Sequence, residues 1–499
     1  MNVLLLNPNW RNLIKIGRVG INTPSIPLEL LYISASLDKK KIRNSIVDLW
    51  GQDKQIRDIT DELVQSDFVI LNTSPSYAFW RDGTIDVSLP KLVISLIKKI
   101  KPSLKIIIIG PQGTISPDIL SKLDVDYIIR GEPDLVVADL LFALKYNNYF
   151  KLPGVCYKDH GNWIINKDYA IVKDMDELPD IPYSKLDLGC YTYPRPPIKY
   201  NTKHVAMFES SRGCIYNCPF CFREGFRGVY RSKSLAKVKR ELESLKSSGI
   251  KYVYLIDEIF GVEKKKTISI CKLFKDLEIL WGCETRPELL SEELIDILAD
   301  SNCVNVNVGL ESADNDILRN LRKSSINLDN LRLNVLHMIE RNILPHFYLI
   351  VGAPGETKKT LKNTLDYISQ FPLNKVNVTA GLMIPYPNTD IWNTAIKEGR
   401  ILKEWQNLED FQGIIGNSFS RSSIRKHYLL FFLKIKNITT RCKLKDLFLN
   451  KRYPLSLVYL LKYIIEKLVL VLVFILPSIL FRTKIIFEFC RRLYYLFYS

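Results

Sequence analysis

Histidine is scarce in this chain: there are five among 499 residues, at positions 160, 204, 337, 346 and 427, and none in the first 150. That N-terminal stretch therefore has no imidazole to offer a metal. It has no thiol either, since Cys156 is the first cysteine. Long apolar runs are also missing. The most apolar stretch, residues 468–481, is 14 residues long and contains Pro477, whereas a spanning helix needs roughly 20 apolar residues. Acidic residues nearly vanish from the C-terminal end. From Arg421 onward 16 Lys and Arg face only Asp446, Glu466 and Glu488, so this segment carries +13 of the formal +17. The remaining body is close to neutral, which gives no argument for a nucleic-acid partner. No charged region, apolar core and cleavage site open the chain; Met1 leads directly into Val3–Leu6. The expected location of the body is cytoplasmic.

The first 145 residues alternate short apolar runs with amphipathic stretches. Strands are predicted at Val3–Leu6, Ser45–Leu49, Phe68–Asn72, Lys105–Ile109 and Tyr127–Ile129, with helices at Leu28–Leu37, Ile56–Val64, Leu89–Ile100, Pro117–Leu123 and Leu135–Leu144. This rhythm predicts a doubly wound, Rossmann-like α/β domain. Ligands of such sheets sit beyond the strand C-termini. Residues 146–200 are rich in Pro, Asp and Tyr and read as a linker. From 201 to 400 six further strands are predicted: His204–Glu209, Tyr252–Ile256, Ile279–Cys283, Val304–Val308, Pro345–Val351 and Lys375–Ala380. Six βα units suit a partial (β/α)6 barrel with its site at the strand C-terminal ends. Residues 401–499 read as a helical, basic and apolar tail. It suits a helix in a membrane interface, with a helical cap on the barrel as the alternative.

The most specific signal is Glu209-Ser210-Ser211-Arg212-Gly213-Cys214-Ile215-Tyr216-Asn217-Cys218-Pro219-Phe220-Cys221, directly after a predicted strand. Three thiolates at these spacings let one loop hold three irons of a 4Fe-4S cubane and leave the fourth open to a cofactor. A zinc knuckle is the alternative, but zinc wants four N or S ligands and no His lies nearby to complete the set.

The run resembles the signature of the radical S-adenosylmethionine (SAM) superfamily, C-x3-C-x2-C with an aromatic residue, here Phe220, before the last Cys. The resemblance implies that Cys214, Cys218 and Cys221 hold the cluster. Tyr254-Leu255-Ile256-Asp257-Glu258 looks like the family's second strand, ending in acids that bind the amino group of SAM. Trp281-Gly282-Cys283-Glu284-Thr285-Arg286 looks like the third strand and Gly309-Leu310-Glu311-Ser312 the fourth. Gly352-Ala353-Pro354-Gly355-Glu356-Thr357 resembles the loop against the adenine. SAM contacts are thus implied for Phe220, Asp257, Glu258, Arg286, Glu311, Gly352, Pro354 and Gly355. The residue types agree with this, because a zwitterionic sulfonium needs acceptors for its ammonium and hydroxyls and a cation for its carboxylate.

An α/β domain ahead of such a barrel resembles the cobalamin-binding subfamily, over roughly residues 1–400. Ser74, Gly110, Pro111, Gln112, Gly131 and Glu132 stand at its ligand-side loops, where glycines let backbone approach a macrocycle closely. A domain that merely braces the barrel is the alternative. Gln112 stands where many members carry His, and the Asp-x-His-x-x-Gly cobalt ligand of cobalamin mutases has no counterpart here.

The resemblance implies reductive cleavage of SAM to a 5′-deoxyadenosyl radical, an external electron donor such as flavodoxin or ferredoxin, and, with cobalamin, C-methylation or ring formation and rearrangement. The tail adds a hydrophobic small molecule or lipid as expected substrate and the inner membrane surface as a partner. No catalytic acid or base is identified. A methylthiotransferase would need a second three-cysteine set near the N-terminus, and a membrane-tethered iron-sulfur electron carrier would not need the SAM-side residues.

Overall fold

The computed structural model describes residues 1–11, 24–75, 87–146, 152–191, 204–222, 227–398 and 421–449, with residues 460, 463, 464, 467–469 and 473. The chain divides into two compact units. The first comprises Met1–Tyr216, Phe222–Cys283 and Asp300–Asn302, the second Asn217–Cys221, Glu284–Ala299 and Cys303–Ser499.

The first unit opens with β1 (Asn2–Asn7), α1 (Leu28–Lys39), β2 (Arg43–Asp48), α2 (Thr60–Gln65), β3 (Phe68–Asn72), α3 (Ser88–Ile100), β4 (Lys105–Ile109), α4 (Pro111–Ile115), α5 (Pro117–Leu120), β5 (Tyr127–Ile129), α6 (Pro133–Lys145), β6 (Val155–Asp159) and β7 (Asn162–Ile164). These strands make one sheet in the order β2-β1-β3-β4-β5-β6-β7. From β2 to β5 every pair is parallel. Such strands need both faces covered, and strand alternation supplies two apolar faces. Leu4, Leu6, Val69, Leu71, Ile106 and Ile108 pack with Leu63 of α2 and Val93 and Ile97 of α3. Val3, Leu5, Ile70, Ile107 and Ile109 pack with Leu30 and Ile33 of α1 and Val137 and Leu141 of α6. The order reverses between β1 and β3, so the crevice beyond their carboxyl ends is the switch point.

Residues 155–164 fall in the stretch that reads as a linker, yet β6 and β7 extend the sheet antiparallel to β5. Their turn is His160-Gly161, with φ of +44° and +84°. This is the pair of left-handed residues that a two-residue hairpin requires.

The first unit continues with β8 (Val205–Phe208), β9 (Ser211–Arg212), β10 (Arg231–Ser232), α7 (Leu235–Ser247), β11 (Tyr252–Leu255), α8 (Lys264–Asp276) and most of β12 (Leu280–Thr285). Strand β11 pairs parallel with β8 and with β12. The second unit holds the last residues of β12, α9 (Glu292–Asp300) but for its final residue, β13 (Cys303–Glu311), α10 (Asn315–Asn320), α11 (Leu328–Glu340), β14 (Leu344–Val351), α12 (Lys358–Ile368), β15 (Asn377–Leu382), α13 (Asp390–Lys397) and α14 (Arg421–Leu449). Strand β14 pairs parallel with β13 and β15. Strands β8 and β11–β15 thus occur where the β-then-α rhythm predicts six strands after residue 200. Among the described residues no helix is long and apolar enough to cross a membrane. The 468–481 stretch lies outside them except for Leu468, Val469 and Val473.

Candidate radical SAM site

The cysteine loop leaves β8 through a segment tied down by carboxylates. Asp257, at the end of β11, is buried and accepts from the Ser210 amide at 2.7 Å and from the Ser211 hydroxyl at 2.6 Å, as well as from the Ser210 hydroxyl. Burial pushes its carboxyl up against these bonds. Glu258 accepts from the Gly213 amide at 2.9 Å. Both acids therefore hold the strand that delivers the cysteines. Gly213 has φ +81°, and a Cβ there would meet the Val229 carbonyl oxygen at 2.3 Å, so only glycine fits before Cys214.

In the second unit the loop is fixed at four points. The Asn217 carbonyl accepts from Arg322 at 3.3 Å and the Pro219 carbonyl from the Ile391 amide at 3.2 Å. Phe220 packs against Ile317, Leu321, Ala353, Ile391 and Trp392, which joins the loop to the Gly352 segment. Cys218 accepts at its sulfur from Arg286 Nη1 at 3.1 Å. Arg286 is buried, and its Nε and Nη2 donate to the carboxylate of Glu288.

Glu311, at φ +64°, follows a bulge in β13 and pairs with buried Lys323 at 3.1 Å. Lys323 also donates to the Gly309 carbonyl at 2.6 Å. Lys323 stands in the connection between α10 and α11, where no sequence pattern marks it as turning toward β13. Gly352 (φ +93°) donates its amide to Glu356. Burial lifts the Glu356 carboxyl to about 8, so it is largely protonated at neutral pH. The Pro354 carbonyl accepts from Asn320 at 2.9 Å, and Gly355, at φ +83°, leaves room for that amide.

A polar cluster that the sequence reading did not single out lies on β12–β15 within the second unit. Asn307 donates to the Tyr348 hydroxyl at 2.9 Å, which lies 3.5 Å from Glu284, and His346 Nε2 lies 2.8 Å from the Thr379 hydroxyl. His346 and Tyr348 alternate along β14 with Phe347 and Leu349, which are buried in the core. Polar residues two apart in otherwise apolar strands, as at 305/307, 346/348 and 377/379, are the signal that marks this face.

At the C-terminal edge of the first sheet, Thr73 donates to Gln112 at 2.6 Å and the Gly131 amide to Thr114 at 2.8 Å. A Cβ on Gly110 (φ +133°) would lie 2.2 Å from the Thr73 hydroxyl, and one on Gly131 (φ +91°) 2.2 Å from the Ala170 carbonyl. Close packing of the protein on itself already requires both glycines. Pro111 and Gln112 open α4 instead of forming a loop, and Ser74 is buried beside Asn72. Glu132 is committed elsewhere, accepting from Arg231 at 2.8 Å and from the Val172 amide at 2.6 Å.

The donor sets suit the groups that the resemblance implies. Three thiols in one loop, one with a guanidinium N–H on its sulfur, suit a thiolate-held cluster that accepts hydrogen bonds. The described edge of the first sheet offers hydroxyls, amides and backbone, which suit the amide rim of a corrinoid, and has no imidazole for its cobalt. Among the described residues no three His, Cys, Asp or Glu side chains are gathered as a preformed metal cage.

The chain is also similar to known proteins. Residues 208–368 match the profile of the Radical SAM superfamily. The chain is 25% identical over 462 residues to an uncharacterized methyltransferase of Pyrococcus horikoshii, covering 90% of this chain and 95% of that protein. It is 25% identical over 405 residues to the anaerobic magnesium-protoporphyrin IX monomethyl ester cyclase of Rubrivivax gelatinosus, covering 79% and 69%. Its fold is similar to that of the cobalamin-dependent SAM radical enzyme OxsB with aqua-cobalamin bound, with a TM-score of 0.71 and 16% identity over 94% of this chain and 72% of that one. Residues 208–368, which contain the cysteine motif, therefore carry the Radical SAM domain, and the chain has the domain of a radical SAM enzyme.

Proposed function

We propose that the chain is a cobalamin-dependent radical SAM enzyme that alters an unactivated carbon of a hydrophobic small molecule or lipid, by C-methylation in the first instance. The observation that carries this is the three-cysteine loop held by Arg286, Phe220 and the carboxylates of Asp257 and Glu258. When bound, the cluster supplies an electron to the sulfonium of SAM and cobalamin supplies a centre for methyl transfer. In this reading Cys214, Cys218 and Cys221 ligate the irons and Phe220 shields the loop from water. Glu311 with Lys323 and the Gly352–Gly355 segment orient SAM. The Asn307, His346 and Tyr348 face binds the substrate by hydrogen bonds. Ser74 and the segments at Gly110–Gln112 and Gly131 form the floor under the corrinoid.

Residues 1–145 then make the cobalamin domain, 146–200 the connection, 201–400 the barrel and 401–499 a basic helical region against the inner membrane surface. The body works in the cytoplasm with a flavodoxin- or ferredoxin-type donor. Methylation is favoured by the length of the match to the Pyrococcus horikoshii protein, and ring formation, as named for the Rubrivivax gelatinosus protein, is the second reading.

Anaerobically reconstituted protein is expected to hold about four irons and four sulfides at this site and to cleave SAM on reduction. Cys214→Ala, Cys218→Ala and Cys221→Ala each abolish both. SAM cleavage retained in any of the three would remove the reading.

A further inference from the structure

We propose that Arg286 sets the reduction potential of the cluster, through the hydrogen bond from Nη1 to the sulfur of Cys218, and that Glu288 is the residue that aims it. The inference rests on the cluster assignment above and goes beyond it. It assigns Arg286 a role other than the one its resemblance to the family's third strand implies, which is pairing with the carboxylate of SAM.

Four features of the second unit carry it. First, the contact is direct, at 3.1 Å between guanidinium nitrogen and sulfur. Second, the guanidinium is clamped: Nε donates to one oxygen of Glu288 at 3.2 Å and Nη2 to the other. All three of its nitrogens thus engage protein atoms. Third, the clamp is itself anchored. Glu288 accepts from the Ser325 hydroxyl at 2.8 Å, and it follows Pro287, whose fixed φ starts the short turn Pro287–Leu289. Burial opposes ionisation of Glu288, but its bonds to Arg286 and Ser325 hold the carboxyl below its ordinary value, so it stays a carboxylate across the working pH range. Fourth, Arg286 is only 6% exposed, so its charge is poorly screened by water.

Reduction adds one electron to the cluster and increases the negative charge on its sulfurs. A cationic N–H donor on one of those sulfurs binds the reduced state more strongly than the oxidised one and raises the potential. Removing the donor stabilises the oxidised state. The same donor directed at a carboxylate of SAM would leave the potential of the SAM-free cluster unmoved, and the two roles separate on that point.

The test is a redox titration of the full-length, anaerobically reconstituted protein without SAM, followed by the paramagnetic-resonance signal of the reduced cluster. Arg286→Gln is expected to keep wild-type iron and sulfide while lowering the reduced-to-oxidised ratio at fixed potential about tenfold, which is 59 mV for a one-electron couple. The coupling from the exchangeable proton on the sulfur disappears with it. Arg286→Lys retains the charge but cannot span Glu288 and Cys218 together, so it should fall between the two, and it serves as the variant if Arg286→Gln loses iron. An unmoved potential in a variant with full iron overturns the inference while leaving the cluster in place, and weakened SAM binding in that variant would return Arg286 to the SAM carboxylate. No cluster in the wild-type protein would overturn the function itself.

Discussion

Arg212 donates Nη1 and Nη2 to the two carboxylate oxygens of Asp134, each at 2.9 Å, joining the segment two residues before Cys214 to the first turn of α6. The same guanidinium reaches Glu209 at 2.8 Å, and Arg227 pairs with Glu209 at 2.8 Å. All of these groups are buried. Removing one partner therefore strands a charge. Asp134→Ala is expected to cost about 3–5 kcal/mol, read as a lower urea midpoint, and Asp134→Asn somewhat less. A loss under about 1 kcal/mol would mean that water reaches Arg212 in the variant.

The network also fixes an acid limit. Burial alone would raise the Glu209 carboxyl, but Arg212, Arg227 and Lys233 pull it down to about 2. A lowered folded-state pKa stabilises above the ordinary value of 4.5, and that contribution is lost as pH falls through about 2. Glu209→Gln should flatten the acid limb of a stability-against-pH curve, and an unchanged limb would place acid sensitivity elsewhere.

Glu356 acts with the opposite sign. Its pKa is raised by burial from 4.5 to about 8, so its contribution is complete below pH 4.5 and lost as pH rises through about 8. Glu356→Gln keeps the shape and the bond from the Gly352 amide but cannot ionise. The variant is expected to melt at a nearly constant temperature from neutral to mildly alkaline pH, where the wild-type midpoint declines. Parallel decline in both would show that the Gly352 loop does not limit stability there.

The polar face on β13–β15 predicts a separation of two activities. Tyr348→Phe removes the hydroxyl shared by Asn307 and Glu284. Purified variant should keep its iron and its reductive SAM cleavage, while cells carrying it lose most of the product seen with the wild type. A hydrogen bond of about 1.4 kcal/mol is a tenfold effect on rate. Loss of iron in this variant would assign Tyr348 to the fold instead of to the substrate.

Much of this fold was legible because short apolar runs recur between amphipathic stretches: Phe68–Asn72, Lys105–Ile109 and Tyr127–Ile129 form strands over the residues those runs predict. The β6–β7 hairpin escaped notice because His160 stands where a two-residue turn usually has Asn or Asp. Helix α4 escaped because Gly110-Pro111-Gln112-Gly113 has the composition of a loop. For the site, the resemblance singles out Asp257, Glu258, Arg286 and Glu132 as ligand contacts, and residue type carries no sign of the protein groups that they engage. Asp257, Glu258 and Glu132 are engaged by Ser210, Ser211, Gly213 and Arg231, contacts between chain segments far apart in sequence, while Arg286 is clamped by Glu288 two residues on.

The first sheet predicts the state of any corrinoid it holds. No His lies in the first 150 residues, and the described edge offers hydroxyl, amide and backbone groups instead. Protein supplied with hydroxocobalamin is expected to retain it with no protein nitrogen on cobalt. The Co(II) resonance should lack nitrogen hyperfine structure from an axial imidazole. Its presence would contradict the ligand argument, and no retained corrinoid would leave the sheet as a brace for the barrel.

The basic C-terminal region predicts salt-sensitive membrane binding. Helix α14 anchors its beginning, with the Tyr428 hydroxyl donating to the Ala380 carbonyl at 3.2 Å and Leu429, Phe431 and Leu433 buried. A helix packed this way on β15 has part of its apolar surface satisfied by protein. Yet 16 Lys and Arg after residue 420, against three acids, exceed what a docked cap needs, and each basic group near an anionic surface adds about 1 kcal/mol. The full-length protein is expected to bind vesicles containing phosphatidylserine at low salt and to release them as ionic strength rises, because exposed charges are screened beyond about 10 Å at 0.1 M salt. Replacing Lys451, Arg452, Lys462 and Lys467 with Gln should weaken that binding several-fold while iron content and SAM cleavage stay unchanged. If the wild-type protein ignores such vesicles at low salt, the region serves the fold alone, and a hydrophobic substrate loses its main support.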